Sequence, residues 1–289
     1  MPRLEARGPN QVWSWDITYL PTSVRGVWLY FYLVIDVWSR KVVAWDVAER
    51  EEAQIAADLV SRACLRERIS KGRPQPLILH ADNGNAMRAA TLERRLEELG
   101  VLRSFSRPRV SNDNPYSESL FRTVKYRPDY PRRPFQSADE ACAWVAAFVG
   151  WYNDQHRHSG IRFVTPSQRH SGEAVAISRH RARVYEQARQ RHPRRWSRYT
   201  RCWRQPEVVW INPPPPENGV TAATLVTADR NGLSAVSLGW RHEPDAAMAF
   251  LIVVPAHERS EPATGLLQAL ERTPWIVRPV LTLRNSESE

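Results

Sequence analysis

The chain has little lysine, little cysteine and no long apolar run. Lysine occurs only at Lys41, Lys71 and Lys125, so arginine supplies nearly all of the 41 basic residues behind the formal net charge of +10. Arginine forks suit phosphate contacts. A genome with GC-rich codons would enrich arginine as well, but the net charge still favours a polyanionic partner.

The other two absences exclude classes of protein. Cys64, Cys142 and Cys202 are odd in number and form neither a disulfide framework nor a zinc-ligand motif, so we expect reduced thiols. No stretch approaches the ~18 consecutive apolar residues of a membrane span, and the first residues lack the apolar core of a signal peptide. These patterns predict a soluble cytoplasmic protein without a membrane partner.

Apolar periodicity predicts a mixed α/β sheet. Strands are predicted over 12–19, 27–36 and 40–46, then a helix over 51–70, a strand ending at Asp82, a helix over 91–99 and a strand over 101–105. The third strand is expected nearer a sheet edge. Two more helices are predicted, one with Asn114 as N-cap before Pro115 and one beginning at a Ser137/Glu140 capping box.

Three acidic residues, hereafter the acidic trio, fall on different predicted elements. Asp16 lies in the first strand, Asp82 ends the fourth, and Glu118 follows it by 36 positions in the first turn of a helix. Strand alternation puts Asp16 on the face opposite the large aromatics, where a buried carboxylate needs a positive partner. Three carboxylates are the minimum cage for two Mg²⁺ ions ~3.5–4 Å apart in phosphodiester cleavage and transfer.

Ordinary structural explanations compete with this reading. The rival carboxylates are Asp36, Asp46, Asp58 and Asp113, and a salt bridge would satisfy Asp16 as well as a metal would. Arg122 is placed to pair with Glu118 at i+4. Lys125, two turns after Glu118, either points toward DNA or is solvated. His80 fits a satisfied half-buried imidazole better than a catalytic group, and Gly84 is interpreted as a sharp turn.

Five ordered motifs then define a resemblance. They are Trp13-Ser-Trp-Asp-Ile-Thr-Tyr19, Ile35-Asp-Val-Trp-Ser-Arg40, His80-Ala-Asp-Asn-Gly84, Asn112-Asp-Asn-Pro-Tyr-Ser-Glu118 and Trp151-Tyr-Asn153. From about residue 8 to 170 the chain resembles the catalytic core of insertion-sequence transposases of the retroviral-integrase type. It resembles especially the integrase-like subunit of two-frame elements, and it is expected to be N-terminally shortened.

The resemblance implies a ribonuclease H-like fold, with a five-stranded mixed sheet flanked by helices. It assigns metal binding and catalysis to Asp16, Asp82 and Glu118, and DNA contact to Lys125. It implies DNA cleavage and strand transfer with two Mg²⁺ ions, for which Mn²⁺ substitutes. The implied partners are the element ends and target DNA, further copies of the chain on that DNA, and a separately encoded helix-turn-helix subunit, all near a bacterial nucleoid.

The chain divides by composition into an N-terminal lead (1–9), the core (10–170), a basic helical extension (171–212) and a Pro-led tail (213–289). Ten Arg against three Glu give residues 171–210 a local charge of +7, whereas residues 213–289 carry −3. We expect Arg122, Arg194, Arg195 and Arg198 to contact DNA. The aromatics interleaved with the arginines are Tyr185, Trp196, Tyr199 and Trp203, which either stack on bases or pack on the core. The tail is interpreted as readthrough.

Two other functions are compatible with the same residues. One is a catalytically silent remnant that still binds DNA. The other is a ribonuclease H-like nuclease that cuts without strand transfer.

Overall fold

The computed structural model describes residues 1–108, 110 and 113–214, together with the backbone of three strands farther along the chain. The chain divides into two compact units, Met1–Pro213 and Pro214–Glu289. Asn112 of the fourth sequence motif lies outside the described residues, as does most of the predicted tail.

In chain order, the strands of the first unit are β1 (Leu4–Ala6), β2 (Val12–Pro21), β3 (Trp28–Asp36), β4 (Val42–Ala48), β5 (Ile78–Ala81), β6 (Leu102–Phe105) and β7 (Val209–Ile211). Its helices are α1 (Ala53–Arg66), α2 (Asn85–Arg88), α3 (Ala90–Leu99), α4 (Pro115–Tyr126), α5 (Ala138–Asp154), α6 (Pro166–His170) and α7 (Ala174–Arg191). Two short 3₁₀ turns cover Ser159–Ile161 and Pro193–Arg195.

Five strands form one mixed sheet in the order β4-β3-β2-β5-β6. β3 runs antiparallel to both of its neighbours, β2 and β4, whereas β5 and β6 run parallel to β2. The expected ribonuclease H-like fold with a five-stranded mixed sheet is therefore confirmed. The third predicted strand, β4, is at the sheet edge as expected.

Helices cover both faces of this sheet. On one face, α1 and α3 pack on Trp13 and Trp15, which are 0% and 1% exposed. On the other, α4 and α5 pack on alternate residues of β2 and β3, including Leu20 and Phe31. Burying one such side chain contributes ~1.5–3 kcal/mol. Since alternate residues of a strand face opposite layers, Ser14 and Asp16, which alternate with the two tryptophans, face α4.

The N-terminal lead and the end of the basic extension meet in a small second sheet. β1 pairs antiparallel with β7, and Leu4 lies opposite Ile211. Arg169, which is fully buried, donates hydrogen bonds to the Gln205 side chain at 2.9 Å and to the Pro206 carbonyl at 2.8 Å. The extension is therefore fastened to the core at both its beginning and its end.

Two local predictions were wrong in detail. Asn114 precedes α4 and Pro115 opens the helix, but the Asn114 side chain makes no cap hydrogen bond and instead contacts Ser14 and Trp15 of β2. Gly84 has φ −61° and ψ 157°, which any residue adopts, so no sharp glycine turn follows Asp82.

In the second unit, β8 (Thr224–Asp229), β9 (Gly232–Glu243) and β10 (Ala246–Val253) form an antiparallel sheet in the order β10-β9-β8. Among the described residues, no helix is both long and apolar enough to cross a membrane.

Candidate active site

Asp16 and Asp82 come together because their strands are parallel neighbours. Trp15 of β2 lies opposite Ala81 of β5, and these two residues are followed directly by Asp16 and Asp82. Neighbouring strands are ~4.8 Å apart, and both side chains share the parity of residues that face α4. The sheet register thus places two carboxylates side by side at one edge of the α4 layer.

The start of α4 is fastened to β2 by buried hydroxyl contacts. Ser14 Oγ bonds to the Asn114 side-chain oxygen and lies 2.7 Å from Ser117 Oγ, and all three residues are fully buried. Glu118 follows Ser117 in the first helical turn and is exposed to solvent. These contacts bring the third carboxylate to the same end of the sheet.

The three carboxylates influence one another electrostatically. Burial raises the pKa of Asp16 to about 7; a hydrogen bond from the Ile17 N–H at 2.8 Å opposes that shift, and the charges of Asp82 and Glu118 add to it. Burial also raises the pKa of Glu118, with a further contribution from Asp82. The acidic trio is therefore a concentration of negative charge on one side of the sheet.

The rival carboxylates have partners elsewhere. Asp113 is fully buried and receives two hydrogen bonds from the Arg107 guanidinium, at 2.9 and 3.0 Å, which hold its pKa well below the usual range. The others are satisfied as well: Asp36 accepts from Ser39 and Asn10, Asp46 pairs with Arg62, and Asp58 accepts from Gln54. Within the described residues, no member of the acidic trio forms an ion pair, and Arg122 does not pair with Glu118.

His80 and Ser106 surround Asp82 on its strand side. His80 is fully buried, and its Nε2 donates to the Asp113 carbonyl at 2.9 Å while Nδ1 accepts from Ser104 Oγ at 3.0 Å. Burial lowers the pKa of this imidazole, so it is a neutral structural group, as the ordinary interpretation held. Ser106 Oγ donates to Asp82 Oδ1 at 2.6 Å and orients that carboxylate.

Ser106 is a site residue that sequence reasoning missed. It follows β6 directly, and β6 is the parallel neighbour of β5, with Phe105 opposite Ala81. The sequence held a signal for this contact. Ser106 directly follows β6, just as Asp82 directly follows the neighbouring strand β5, so the two side chains emerge next to each other.

Two polar residues of the motifs support the backbone around the site. Asn83 donates to the Ser106 carbonyl at 2.6 Å and so links the ends of β5 and β6. Asn153 accepts from the Val42 N–H at 2.9 Å and donates to the Val42 carbonyl at 3.0 Å, which joins α5 to β4. Tyr152, between Trp151 and Asn153, is buried in the α5 layer.

The donor chemistry of the acidic trio suits a divalent cation. All of its potential ligands are carboxylate oxygens, which Mg²⁺ prefers, and no cation within the described residues competes for them. In the arrangement as it stands, no group of three or more His, Cys, Asp or Glu among the described residues is set to hold a metal ion. Asp16 is partly buried, whereas Glu118 is exposed to solvent.

Comparison with known proteins assigns the first unit. Two models described as Integrase core domain match residues 6–111 and 99–166. Over 164 residues, the chain is 34% identical to a transposase for insertion sequence element IS904 of Lactococcus lactis, and 35% identical to the transposase InsF for insertion sequence IS3A of Escherichia coli K12. Residues 6–166 of the chain carry an integrase core domain, and the chain is similar to insertion-sequence transposases of the integrase type. The aligned part is 56% of the chain and spans 62% and 54% of the length of these two relatives.

Solved structures of integrases and transposases are also similar to the chain. The catalytic core domain of HTLV-2 integrase, solved in complex with magnesium, is 17% identical with a TM-score of 0.42, covering 56% of this chain and 97% of its own. The catalytic domain of the Mos1 mariner transposase is 17% identical with a TM-score of 0.40, covering 49% and 70%.

In this integrase core protein, the basic residues expected to contact DNA lie on two surfaces. Arg122 and Lys125 are exposed on α4, the helix that carries Glu118. Arg194, Arg195 and Arg198 are exposed on the segment that follows α7. The interleaved aromatics of that segment are divided: Tyr185 packs edge-on against Trp196 and Trp203, whereas Tyr199 is 82% exposed.

Proposed function

We propose that this chain is the catalytic part of a transposase that cleaves DNA and joins the freed 3′ end to a second DNA, in a reaction dependent on a divalent metal. The observation that carries the proposal is the acidic trio. It consists of three carboxylates from three elements, gathered at one end of the sheet without a cationic partner among the described residues. Family membership supports the same chemistry.

The acidic trio is the proposed ligand set for two Mg²⁺ ions, with Mn²⁺ as a substitute. All three carboxylates would hold the ions, and the charges of both Asp82 and Glu118 act on Asp16. When bound, the ions neutralise charge on the attacking oxygen, the leaving oxygen and the phosphoryl group. Ser106 positions Asp82, and the Ile17 N–H positions Asp16.

The chain's own cations are proposed to hold the DNA. Lys125 follows Glu118 by seven residues, about two helical turns, so both lie on one side of α4. Arg122 is exposed between them and is not engaged in an ion pair with Glu118. The proposed partners are element ends and target DNA, further copies of the chain and a helix-turn-helix subunit, in the bacterial cytoplasm.

The experiment is a cleavage and joining assay with the full chain, its element ends, a target plasmid, and Mg²⁺ or Mn²⁺. We expect nicked and joined products from the wild type and from Asp58→Asn, a matched change at an exposed aspartate on α1. Asp16→Asn, Asp82→Asn and Glu118→Gln should each lower both products at least ~100-fold, since each removes a charge required in the transition state.

The product pattern separates this proposal from its alternatives. Cut DNA without joined DNA would indicate a nuclease. Binding without any metal-dependent cut would indicate a silent remnant. Full activity in Asp82→Asn would overturn the assignment of the site.

A further inference from the structure

A cavity lies at the C-terminal half of α4, the helix that carries Glu118. It has a volume of about 460 Å³, and its walls include Arg122, Thr123 and Tyr126 of α4, Arg127, and Trp151 of α5. This volume is within the ~300–1,000 Å³ typical of pockets for small organic groups. No carboxylate is among the residues that line it.

The cavity is in line with the proposed active site along one helix. Arg122 and Tyr126 follow Glu118 at i+4 and i+8, so they extend its side of α4. With a rise of 1.5 Å per residue, Tyr126 is roughly 12 Å along the helix axis from Glu118. In a DNA strand with ~3.4 Å per nucleotide, that distance corresponds to roughly three or four nucleotides from the phosphodiester at the acidic trio.

The cavity offers a free aromatic face. Tyr126 is 80% exposed, whereas Leu120 and Val124 of the same helix pack into the core. The guanidinium carbon of Arg122 lies over the Tyr126 ring at 5.8 Å from its centre, and no other ring or cation contact to Tyr126 is found among the described residues. Trp151 has its faces engaged, by Arg127 at 3.7 Å and by His156 at 4.8 Å, so it is a wall and not a stacking surface.

The cavity is also lined by two arginines. Arg122 and Arg127 both contribute to its walls, and no carboxylate among the described residues does. Arg127 pairs with Asp129 through Nε and lies over the Trp151 ring, which holds its positive charge at the cavity wall. A ligand that combines a flat ring with anionic oxygens matches the exposed tyrosine and the two arginines.

We propose that this cavity holds one unpaired nucleotide of the DNA substrate, with its base against Tyr126 and its phosphate oxygens between Arg122 and Arg127. The base must leave the duplex to reach the tyrosine, because a paired base is covered by its stacked neighbours. This inference rests on the proposed function, since it names the DNA feature that the same protein engages beside its acidic trio.

The test is metal-free binding of the full chain to two probes, a paired DNA duplex and the same duplex carrying one extra unpaired nucleotide. We expect the wild type to prefer the duplex with the unpaired nucleotide by about fivefold or more, the effect of one base–aromatic stack. Tyr126→Ala should abolish the preference, whereas Tyr126→Phe should keep it because phenylalanine also stacks. Arg122→Ala should weaken it, and Arg94→Ala, at an exposed helical arginine on α3, should not.

A photoreactive 5-iodouracil at the unpaired position locates the base. We expect the cross-linked peptide to contain Tyr126, with the strongest yield when the unpaired position is three or four nucleotides from the cut. Equal binding of both probes by the wild type, or an undiminished preference in Tyr126→Ala, would overturn the inference. Failure of the proposed function is separate, because it appears as the absence of metal-dependent cut products from either duplex.

Discussion

At the scale of single residues, Asp16 differs from the other inward-facing carboxylates in having negative neighbours. Asp113 and Asp46 have arginine partners, and Asp36 accepts hydrogen bonds from backbone and hydroxyl donors. Asp16 receives one backbone hydrogen bond and lies within the fields of Asp82 and Glu118. Because Asp16 is also largely buried, its ionised form is destabilising to the folded chain.

Replacing Asp16 should therefore stabilise the metal-free protein at alkaline pH. The pKa of Asp16 is raised from 3.8 to about 7, so its stabilising contribution is complete below pH 3.8 and is lost as the pH rises through about 7. We expect Asp16→Asn to raise the free energy of unfolding at pH 8, measured by urea denaturation in EDTA, by roughly 2–4 kcal/mol.

The control for this change is Asp58→Asn, an exposed aspartate that should alter stability by less than ~0.5 kcal/mol. A second control is pH 4, where the gain from Asp16→Asn should have largely disappeared. If the metal-free Asp16→Asn protein were no more stable than the wild type at pH 8, ionisation of the Asp16 carboxylate would not destabilise the fold.

The residues of the acidic trio were predictable because each follows a local pattern. Period-two alternation set the face of Asp16, an apolar run ended at Asp82, and Pro115 marked the helix start before Glu118. Their assignment as metal ligands stays a prediction. The Asp113 partner Arg107 and the Ser106 contact to Asp82 were not predicted, because they depend on how separate elements meet.

At the scale of elements, a buried polar cluster joins parts of the fold that are distant in sequence. Glu67, just after α1, accepts from Lys41 Nζ at 2.8 Å and from Asn10 Nδ2 at 3.2 Å, and it lies 2.9 Å from His170 Nε2 of α6. His170 Nδ1 in turn lies 2.9 Å from Ser39 Oγ. The cluster thus links the loop between β1 and β2, the β3–β4 turn, the end of α1 and α6.

Neutralising Glu67 should destabilise the protein in a pH-dependent way. Burial favours its protonated form, but hydrogen bonds from His170, Lys41 and Asn10 outweigh this and lower its pKa from 4.5 to about 2. The stabilisation is present above pH 4.5 and is lost as the pH falls through about 2. We expect Glu67→Gln to cost about 2–3 kcal/mol of unfolding free energy at pH 7.

The measurement is urea denaturation of wild type and Glu67→Gln at pH 7 and at pH 3.5, with Glu97→Gln on the exposed side of α3 as the matched control. The difference between wild type and Glu67→Gln should narrow at pH 3.5. If Glu67→Gln lowered the unfolding free energy equally at both pH values, its effect would come from altered packing and not from the lost carboxylate charge.

The elements themselves were largely predictable, and their long-range fastenings were not. The main strands and helices began and ended within a few residues of their predicted limits, because apolar periodicity and breakers such as Gly100 are local signals. β1 and β7 were missed because each has three residues and becomes a strand only by pairing with the other. Asn114 was misread because a residue suited to capping was instead drawn to Ser14 across the core.

At the scale of the whole molecule, positive charge is concentrated on α7 and on the segment that follows it. Three of the arginines expected to contact DNA, Arg194, Arg195 and Arg198, are exposed within five residues of one another. Tyr185, Trp196 and Trp203 of this region pack against one another. Because these rings are already engaged, phosphate contact by the arginines is favoured there over base stacking.

Replacing Arg194, Arg195 and Arg198 together with alanine should reduce the salt dependence of DNA binding. Each phosphate contact contributes about −0.9 to the slope of log affinity against log salt, so the slope should become shallower by roughly 2–3. The measurement is fluorescence anisotropy with labelled duplex from about 50 to 200 mM salt. The matched control replaces Arg50, Arg94 and Arg95 with alanine. An unchanged salt slope in the variant of Arg194, Arg195 and Arg198 would show that these arginines do not contact DNA.

The measurement that tests the central claim most directly is calorimetric titration of the metal-free full chain with Mn²⁺ or Mg²⁺ at pH 8. We expect the wild type and Asp58→Asn to bind the cation with the same affinity, and Asp82→Asn to bind it at least ~10-fold more weakly. Undiminished binding by Asp82→Asn would contradict the claim that Asp16, Asp82 and Glu118 form the metal site.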